Sequence, residues 1–215
     1  MEKSQVAIII PAFNEEDTIA NVVVATQKYG IVIVVNDAST DNTKKIALKA
    51  GAILVDHQEN LGYDGALNSG FKKASELQSD IAITFDADGQ HDEQLLQDYI
   101  SLIEQGFDVV IGVRNKFQRF AERVFSWVSK RKWNISDPLC GMKAYRMSVY
   151  KQLGHFDSYN SIGTELTIYT ASHQGKIAQI DIRTKERKGR PRFGSGLRSN
   201  ITIFRALWTS CRKYL

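Results

Sequence analysis

Through the first half of the chain, short apolar runs alternate with stretches of helical periodicity. Val6–Ile10, Ile31–Asn36, Ala52–Asp56, Ile81–Asp86 and Val109–Gly112 are nearly unbroken in Val, Ile and Ala, the pattern of parallel strands covered on both faces. Between them, Glu16–Lys28, Thr43–Ala50, Ala66–Leu77 and Glu93–Gln105 read as helices, with Asn42 and Asp92 placed to cap two of them. This order predicts an α/β fold: an open, mostly parallel sheet flanked by helices and joined by right-handed crossovers. Ligands bind such sheets beyond the carboxyl ends of the strands. Polar clusters fall at those ends: Asn14-Glu15, Asp37 and Asp86-Asp88.

The second half is less regular. Phe117–Trp133 reads as a helix, Met142–Arg146 as a strand, Glu165–Gln174 as a helix and Ile177–Arg187 as a strand. A basic, glycine-containing stretch, Lys188–Gly196, leads into a terminal helix over about 197–215. In that helix Leu197, Ile201, Phe204, Trp208, Cys211 and Leu215 form an apolar stripe beside Arg198, Arg205 and Arg212. Phe117–Trp133 repeats the theme with Arg119, Arg123 and Lys130. Such helices either lie in an anionic membrane interface or pack on the protein itself or a second subunit, the more ordinary outcome for either helix. With no linker or repeat, one domain over residues 1–215 is expected.

Composition narrows the class. The 215 residues are 43% hydrophobic and 24% charged, a globular balance, with a net charge of +4. Basic residues crowd into Arg114–Lys132 and Arg183–Lys213, which predicts an anionic partner on one side. No nucleic-acid-binding signature accompanies them, so no nucleic acid partner is expected. Cys140 and Cys211 form no CxxC pair. Val6–Ile10 is too short for the apolar part of a signal peptide, and no run nears the ~20 residues of a spanning helix. The expectation is a cytoplasmic protein, in contact with a membrane only peripherally.

The candidate chemistry centres on Asp86-Ala87-Asp88, which ends a strand before the Gly89-Gln90 turn. Two carboxylates one residue apart can share an ion where the backbone bends, and the Gln90 amide can add a third oxygen. Oxygen ligands suit Mg2+ or Mn2+, which neutralise a departing diphosphate. Acidic turns also arise for purely conformational reasons, and the strand-end position is what favours chemistry here. Asp37 is placed to accept from a nucleobase or ribose, while Ser39, Asp41 and Asn42 serve the turn and cap. His91 is a minor candidate for substrate contact. His57, His155 and His173 have no partners at ligand spacing.

Together, Pro11-Ala12-Phe13-Asn14-Glu15-Glu16, Asn36–Asp41 and Phe85–His91 resemble the GT-A-fold, inverting nucleotide-sugar glycosyltransferases. The best match is the branch of dolichyl- and polyprenyl-phosphate mannose synthases. The pattern runs in order from Val6 to about Arg146 and more weakly to about Gly196. The resemblance implies that Pro11, Phe13, Glu15 and Asp37 line the nucleoside pocket of a UDP- or GDP-sugar. It implies that Asp86, Ala87 and Asp88 meet the donor, and that Asp86, Asp88 and Gln90 hold the metal and diphosphate. Arg114 looks like the family's arginine at the floor of the active site, and Asp137–Lys143 resembles its acceptor-side motif. Glu165, near an acidic position that faces the acceptor in the family, is a candidate base with Asp137, although its charge also suits a helix N-terminus.

There are departures from the family pattern. Gly141-Met142-Lys143 stands where the family usually has Gly-Phe-Arg, and lysine lacks the arginine fork. Asn60–Gly65 lacks a lysine often found between its glycines, and Arg187–Ser195 matches the family's basic loop only loosely. Lys143, Arg187 and Arg192 are nonetheless the acceptor-side cations, and they favour a polyprenyl phosphate over a sugar or other hydroxyl acceptor. A nucleotidyltransferase would want a glycine-rich basic loop after strand one, where Ile10–Glu16 is glycine-free and acidic. A non-catalytic binding module would have had no need to keep Asp37, Asp86, Asp88 and Arg114. No GxGxxG or P-loop pattern supports dinucleotide or P-loop chemistry.

Overall fold

The structure, a computed structural model, describes residues 4–117, 119–182 and 197–215, without the side chain of Leu197. Among the described residues seven strands form one sheet: β1 (Val6–Ala12), β2 (Ile31–Asn36), β3 (Ile53–Asp56), β4 (Ile81–Thr84), β5 (Val109–Arg114), β6 (Lys143–Arg146) and β7 (Ile177–Ile182). Their order is β3-β2-β1-β4-β6-β5-β7, with β6 antiparallel to both neighbours and every other pairing parallel. The helices are α1 (Ile19–Thr26), α2 (Thr43–Lys49), α3 (Gly62–Glu76), α4 (Leu96–Glu104, after a 3-10 turn at Glu93–Leu95), α5 (Phe120–Trp133), α6 (Met147–Leu153), α7 (Glu165–Ser172) and α8 (Leu197–Tyr214).

β1 sits at the centre of the four-stranded parallel half, buried along its whole length. It runs two residues past the predicted end, through Pro11. Alternate residues of β1 face β4, and that pairing stops at Thr84, with Ile9 accepting from Phe85. Pro11 therefore falls where no ladder donor is needed. On the other side Ala12 still pairs with Asn36 and accepts from the Asp37 N–H.

The reversed strand matters for function. Because β6 runs against its neighbours, its first residue, Lys143, lies beside Thr84, the last residue of β4, and Ile111, midway along β5. A cation thus joins the acidic strand ends. Asp41, rather than Asn42, caps α2 by accepting from the Thr43 N–H at 2.9 Å, while Asn42 gives its amide to Glu16. Asp92 accepts from the Gln94 N–H as expected. The predicted continuation of β7 to Arg187 and the stretch Lys188–Gly196 lie outside the described residues.

The apolar stripe expected to bury α8 does not do so. Ile201, Trp208 and Leu215 are exposed, whereas Ile203, Ala206, Leu207 and Ser210 pack inward. The amphipathic periodicity is real, but the inward face is turned by about a residue from the strongest stripe.

Candidate active site

Two loops at the carboxyl ends of β1 and β2 clasp each other. Asn14 adopts a left-handed conformation (φ 53°), donating its N–H to Ser39 Oγ at 3.0 Å and accepting from the Thr40 N–H at 2.9 Å. The Glu15 N–H donates to Thr43 Oγ1 at 2.7 Å. Pro11 is buried at the root of this clasp, Phe13 is exposed on it, and Glu15 is half-buried beside it.

Asp37 organises the adjoining wall. Its carboxylate accepts from the Leu61 N–H at 2.8 Å and the Gly62 N–H at 2.9 Å, two donors at the head of α3. Its Oδ1 also lies 2.8 Å from Nδ1 of His57, whose Nε2 lies 2.8 Å from Ser69 Oγ. A carboxylate accepts only, so Nδ1 of the imidazole carries a proton toward Asp37 while Nε2 faces the serine hydroxyl. Spacing gave no sign of these partners, which lie 20 and 12 residues away from His57. Yet His57 directly follows β3, and the strand-end rule that singled out Asp37 applies to it as well.

Asp86 and Asp88 are half-buried beyond β4, and Ala87 between them faces the core. Asp86 Oδ2 lies 2.9 Å from His91 Nε2, so His91 stands behind the acidic motif as a partner of its first carboxylate. Asp88 Oδ1 accepts from the Gln90 N–H at 3.0 Å, which folds the Gly89-Gln90 turn back on the motif. A Cβ on Gly141 would meet Asp86 Oδ2 at 2.5 Å, so a glycine is required for the 137–142 loop to approach this carboxylate. The donor set of two aspartates and an amide oxygen fits a hard divalent cation. Among the described residues no three His, Cys, Asp or Glu are arranged to hold an ion unaided.

Beyond β5, Arg114 forms a two-pronged bond to Asp137: Nε to Oδ2 at 2.7 Å and Nη2 to Oδ1 at 2.9 Å. Its backbone N–H donates to Oδ2 as well, at 3.1 Å. Burial works against the guanidinium charge, but Asp137 more than offsets it. Lys143 is buried and donates to the Gly163 carbonyl at 2.6 Å, and burial pulls its pKa down to about 8. Asp64 grips the same loop from α3, accepting from Ile162 N–H at 3.0 Å and Gly163 N–H at 2.6 Å; burial pushes its pKa up to about 6.

Glu165 heads α7 with 0% exposure. It accepts from Lys213 Nζ at 2.5 Å, Tyr214 hydroxyl at 2.7 Å and Ser158 hydroxyl at 3.0 Å, and His155 Nε2 lies 3.3 Å away. Its carboxylate is thus turned to the 155–158 loop and the end of α8. Arg187 and Arg192 lie outside the described residues.

Residues 7–154 match glycosyl transferase family 2. The chain belongs to that family. It is a nucleotide-sugar glycosyltransferase of GT-A fold. An uncharacterised protein of Methanocaldococcus jannaschii is 30% identical, over 86% of this chain and 83% of that protein. The UDP-N-acetylglucosamine–dolichyl-phosphate N-acetylglucosaminyltransferase of Methanococcus voltae is 38% identical over 54% of each chain. The undecaprenyl-phosphate 4-deoxy-4-formamido-L-arabinose transferase of Edwardsiella ictaluri is 28% identical over 88% of this chain. This chain spans only 54% and 63% of the lengths of those two transferases. Glucosyl-3-phosphoglycerate synthase from Mycobacterium tuberculosis, solved with Mn2+ and UDP-glucose, shares the fold. Its TM-score is 0.79 at 20% identity, covering 97% of this chain and 79% of that one.

Proposed function

We propose that this family 2 enzyme transfers a sugar, with inversion, from a UDP- or GDP-sugar to a polyprenyl phosphate of the dolichyl or undecaprenyl type. The carrying observation is the state of the two carboxylates available as bases. Asp137 and Glu165 are both wholly buried and both held by cationic partners, Arg114 and Lys213. A hydroxyl acceptor must surrender a proton and needs a free base. A phosphate is already ionised at neutral pH and needs positioning cations, a role that suits Lys143 and Arg114 and, by the family resemblance, Arg187 and Arg192. The dolichyl- and undecaprenyl-phosphate transferases among the relatives support the same acceptor class.

In this reading Pro11, Phe13, Glu15 and Asp37 hold the nucleoside. Asp86, Asp88 and the Gln90 amide would hold Mg2+ or Mn2+, which when bound neutralises the leaving diphosphate. The Mn2+ and UDP-glucose bound by the synthase of the same fold support that assignment. An acceptor phosphate oxygen attacks the anomeric carbon on the face opposite the diphosphate. The new C–O bond forms as the old one breaks, and the nucleoside diphosphate departs with the bonding pair. Asp137 and Glu165 act by position: the first fixes Arg114, the second anchors the loop that carries Gly163.

The test is product analysis with undecaprenyl and dolichyl phosphate against a panel of UDP-, GDP- and dTDP-sugars, with and without divalent cation. A metal-dependent lipid-linked sugar is expected. Glycosylation of a saccharide or protein hydroxyl instead, dependent on Glu165 or Asp137, would establish the alternative acceptor class.

A further inference from the structure

Ten large hydrophobic side chains are exposed among the described residues; five of them lie on α5 and α8, and a sixth, Leu215, directly follows α8 with its N–H still donating to the Cys211 carbonyl. Scattered singly, such residues need no explanation; gathered on two adjacent helices they mark a surface that meets something. The helices lie side by side, with the Ala121 N–H at the start of α5 donating to Asn200 Oδ1 in the first turn of α8 at 3.3 Å. At about 100° per residue, Phe204, Leu215, Trp208 and Ile201 span roughly 60° of arc on α8, beginning beside Asn200 and so next to α5. Phe120 and Trp127 occupy the outward face of α5. Trp127 and Trp208 are 59% and 63% exposed, each with an arginine over its ring: Arg131 at 4.7 Å and Arg212 at 5.6 Å.

The exposed charge on these helices has one sign. Arg123, Lys130 and Arg131 of α5 and Arg198, Arg205 and Arg212 of α8 are exposed. The only acid on either helix, Glu122, is buried and paired with Arg119 and Arg114. A two-fold dimer through this face would bring two such cationic surfaces together, because an isologous interface sets a patch against itself. A bilayer with anionic headgroups satisfies both halves of the pattern: apolar side chains enter the acyl boundary and arginines meet phosphate.

We propose that α5 and α8 together form a docking platform that seats the enzyme on an anionic lipid surface, with Trp127 and Trp208 inserted. The inference deepens the polyprenyl-phosphate reading and rests on it for its purpose. The platform adjoins the acceptor side through both helices. α5 lies between Arg114 and its partner Asp137 in the chain, and the last turn of α8 holds Glu165 through Lys213 and Tyr214. A lipid-borne phosphate would thus approach beside the cations that await it.

The test is flotation of the full chain with phosphatidylglycerol or phosphatidylcholine vesicles that contain no prenyl phosphate, some carrying brominated acyl chains. Transfer to a short, water-soluble prenyl phosphate is assayed separately without vesicles. Expected are binding to the anionic vesicles only, quenching of tryptophan by bromine, and at least a roughly tenfold loss as the Debye length shrinks from about 10 Å to about 3 Å between about 0.1 and 1 M salt. Trp127→Ala/Trp208→Ala and Arg198→Glu/Arg205→Glu/Arg212→Glu should each abolish flotation while soluble transfer persists. Flotation equal for wild type and variants, no flotation at all, or a solution dimer dissolved by the tryptophan changes would each overturn the platform. Soluble transfer reports on the acceptor reading independently, so the two can fail separately.

Discussion

Arg114 and Asp137 are joined by a two-pronged hydrogen bond at 2.7 and 2.9 Å, with Asp137 wholly buried beneath the site. Deleting one member of such a pair strands the other charge, at a cost of about 3–5 kcal/mol. Arg114→Ala should therefore lower the unfolding free energy by that order as well as activity, and Asp137→Ala should do the same. Urea denaturation checks this. An Arg114→Ala protein with a normal midpoint and no transfer would make the arginine purely a substrate contact.

Asp88→Asn tests the acidic motif. The side chain is half-buried and accepts a local N–H that asparagine's oxygen can still receive, so the fold should survive. Loss of one charged ligand near a departing diphosphate should cost about 3 kcal/mol, on the order of a hundredfold in kcat. Near-normal turnover in saturating Mn2+ would contradict the metal role.

Asp37 does two things at once, and its variants should show both. It pins the head of α3 through Leu61 and Gly62, and in the proposed reading it meets the nucleoside, away from the reacting carbon. Asp37→Ala should raise the donor KM with kcat little changed, the mark of lost uniform binding. It should also destabilise by about 1–3 kcal/mol, because two N–H groups lose their acceptor. His57→Gln, which disturbs only the partner of this carboxylate, should raise donor KM by a smaller factor. A kcat effect with unchanged KM for either variant would remove Asp37 from the nucleoside pocket.

The Glu165 carboxyl carries a pH signature. Burial pushes its pKa up, but hydrogen bonds from Lys213, Tyr214 and Ser158 outweigh that and hold it below the ordinary value of 4.5. A depressed folded pKa gives stability that is complete above 4.5 and fades as acid drives the pH through the lower, folded value. Glu165→Gln should flatten that part of the acid-unfolding profile, followed by the fluorescence of Trp208 on α8, and keep appreciable transfer. Transfer abolished in a stably folded Glu165→Gln enzyme would make Glu165 the catalytic base.

The sequence made the parallel half of the sheet legible because Val6–Ile10, Ile31–Asn36 and Ile81–Thr84 carry an unbroken apolar signal. It hid what depends on distant partners. The start of α3 at Gly62, ahead of the predicted Ala66, was concealed by Gly62 and Gly65, which are poor helix formers; the N–H groups at its head are satisfied by Asp37, just past β2 and some 25 residues away. α6 is seven residues long with little periodicity of its own. The donor-side motifs are contiguous in the chain and so were visible. The ties of Glu165 to Lys213 and Tyr214, 48 and 49 residues apart, were not. On α8 the amphipathic pattern was plain, but whether its strongest stripe turned inward depended on neighbouring helices.

Lys143 separates activity from stability along the pH axis. Burial lowers its pKa from 10.5 to about 8, so the folded enzyme carries the ammonium below that pH and loses it above. If this cation positions an acceptor phosphate, kcat/KM for the acceptor should fall as pH rises through about 8. Stability should move the other way. Between about 8 and 10.5 the unfolded chain still binds a proton that the folded chain has released, so the contribution of this residue to folding grows with pH. Other groups titrate in the same range, and the informative quantity is the difference between wild type and Lys143→Met. That difference in unfolding free energy should shift in favour of wild type from pH 8 to 10, while the wild-type advantage in acceptor kcat/KM shrinks. A wild-type acceptor profile flat through pH 8, or one that falls equally in Lys143→Met, would take the lysine out of acceptor binding.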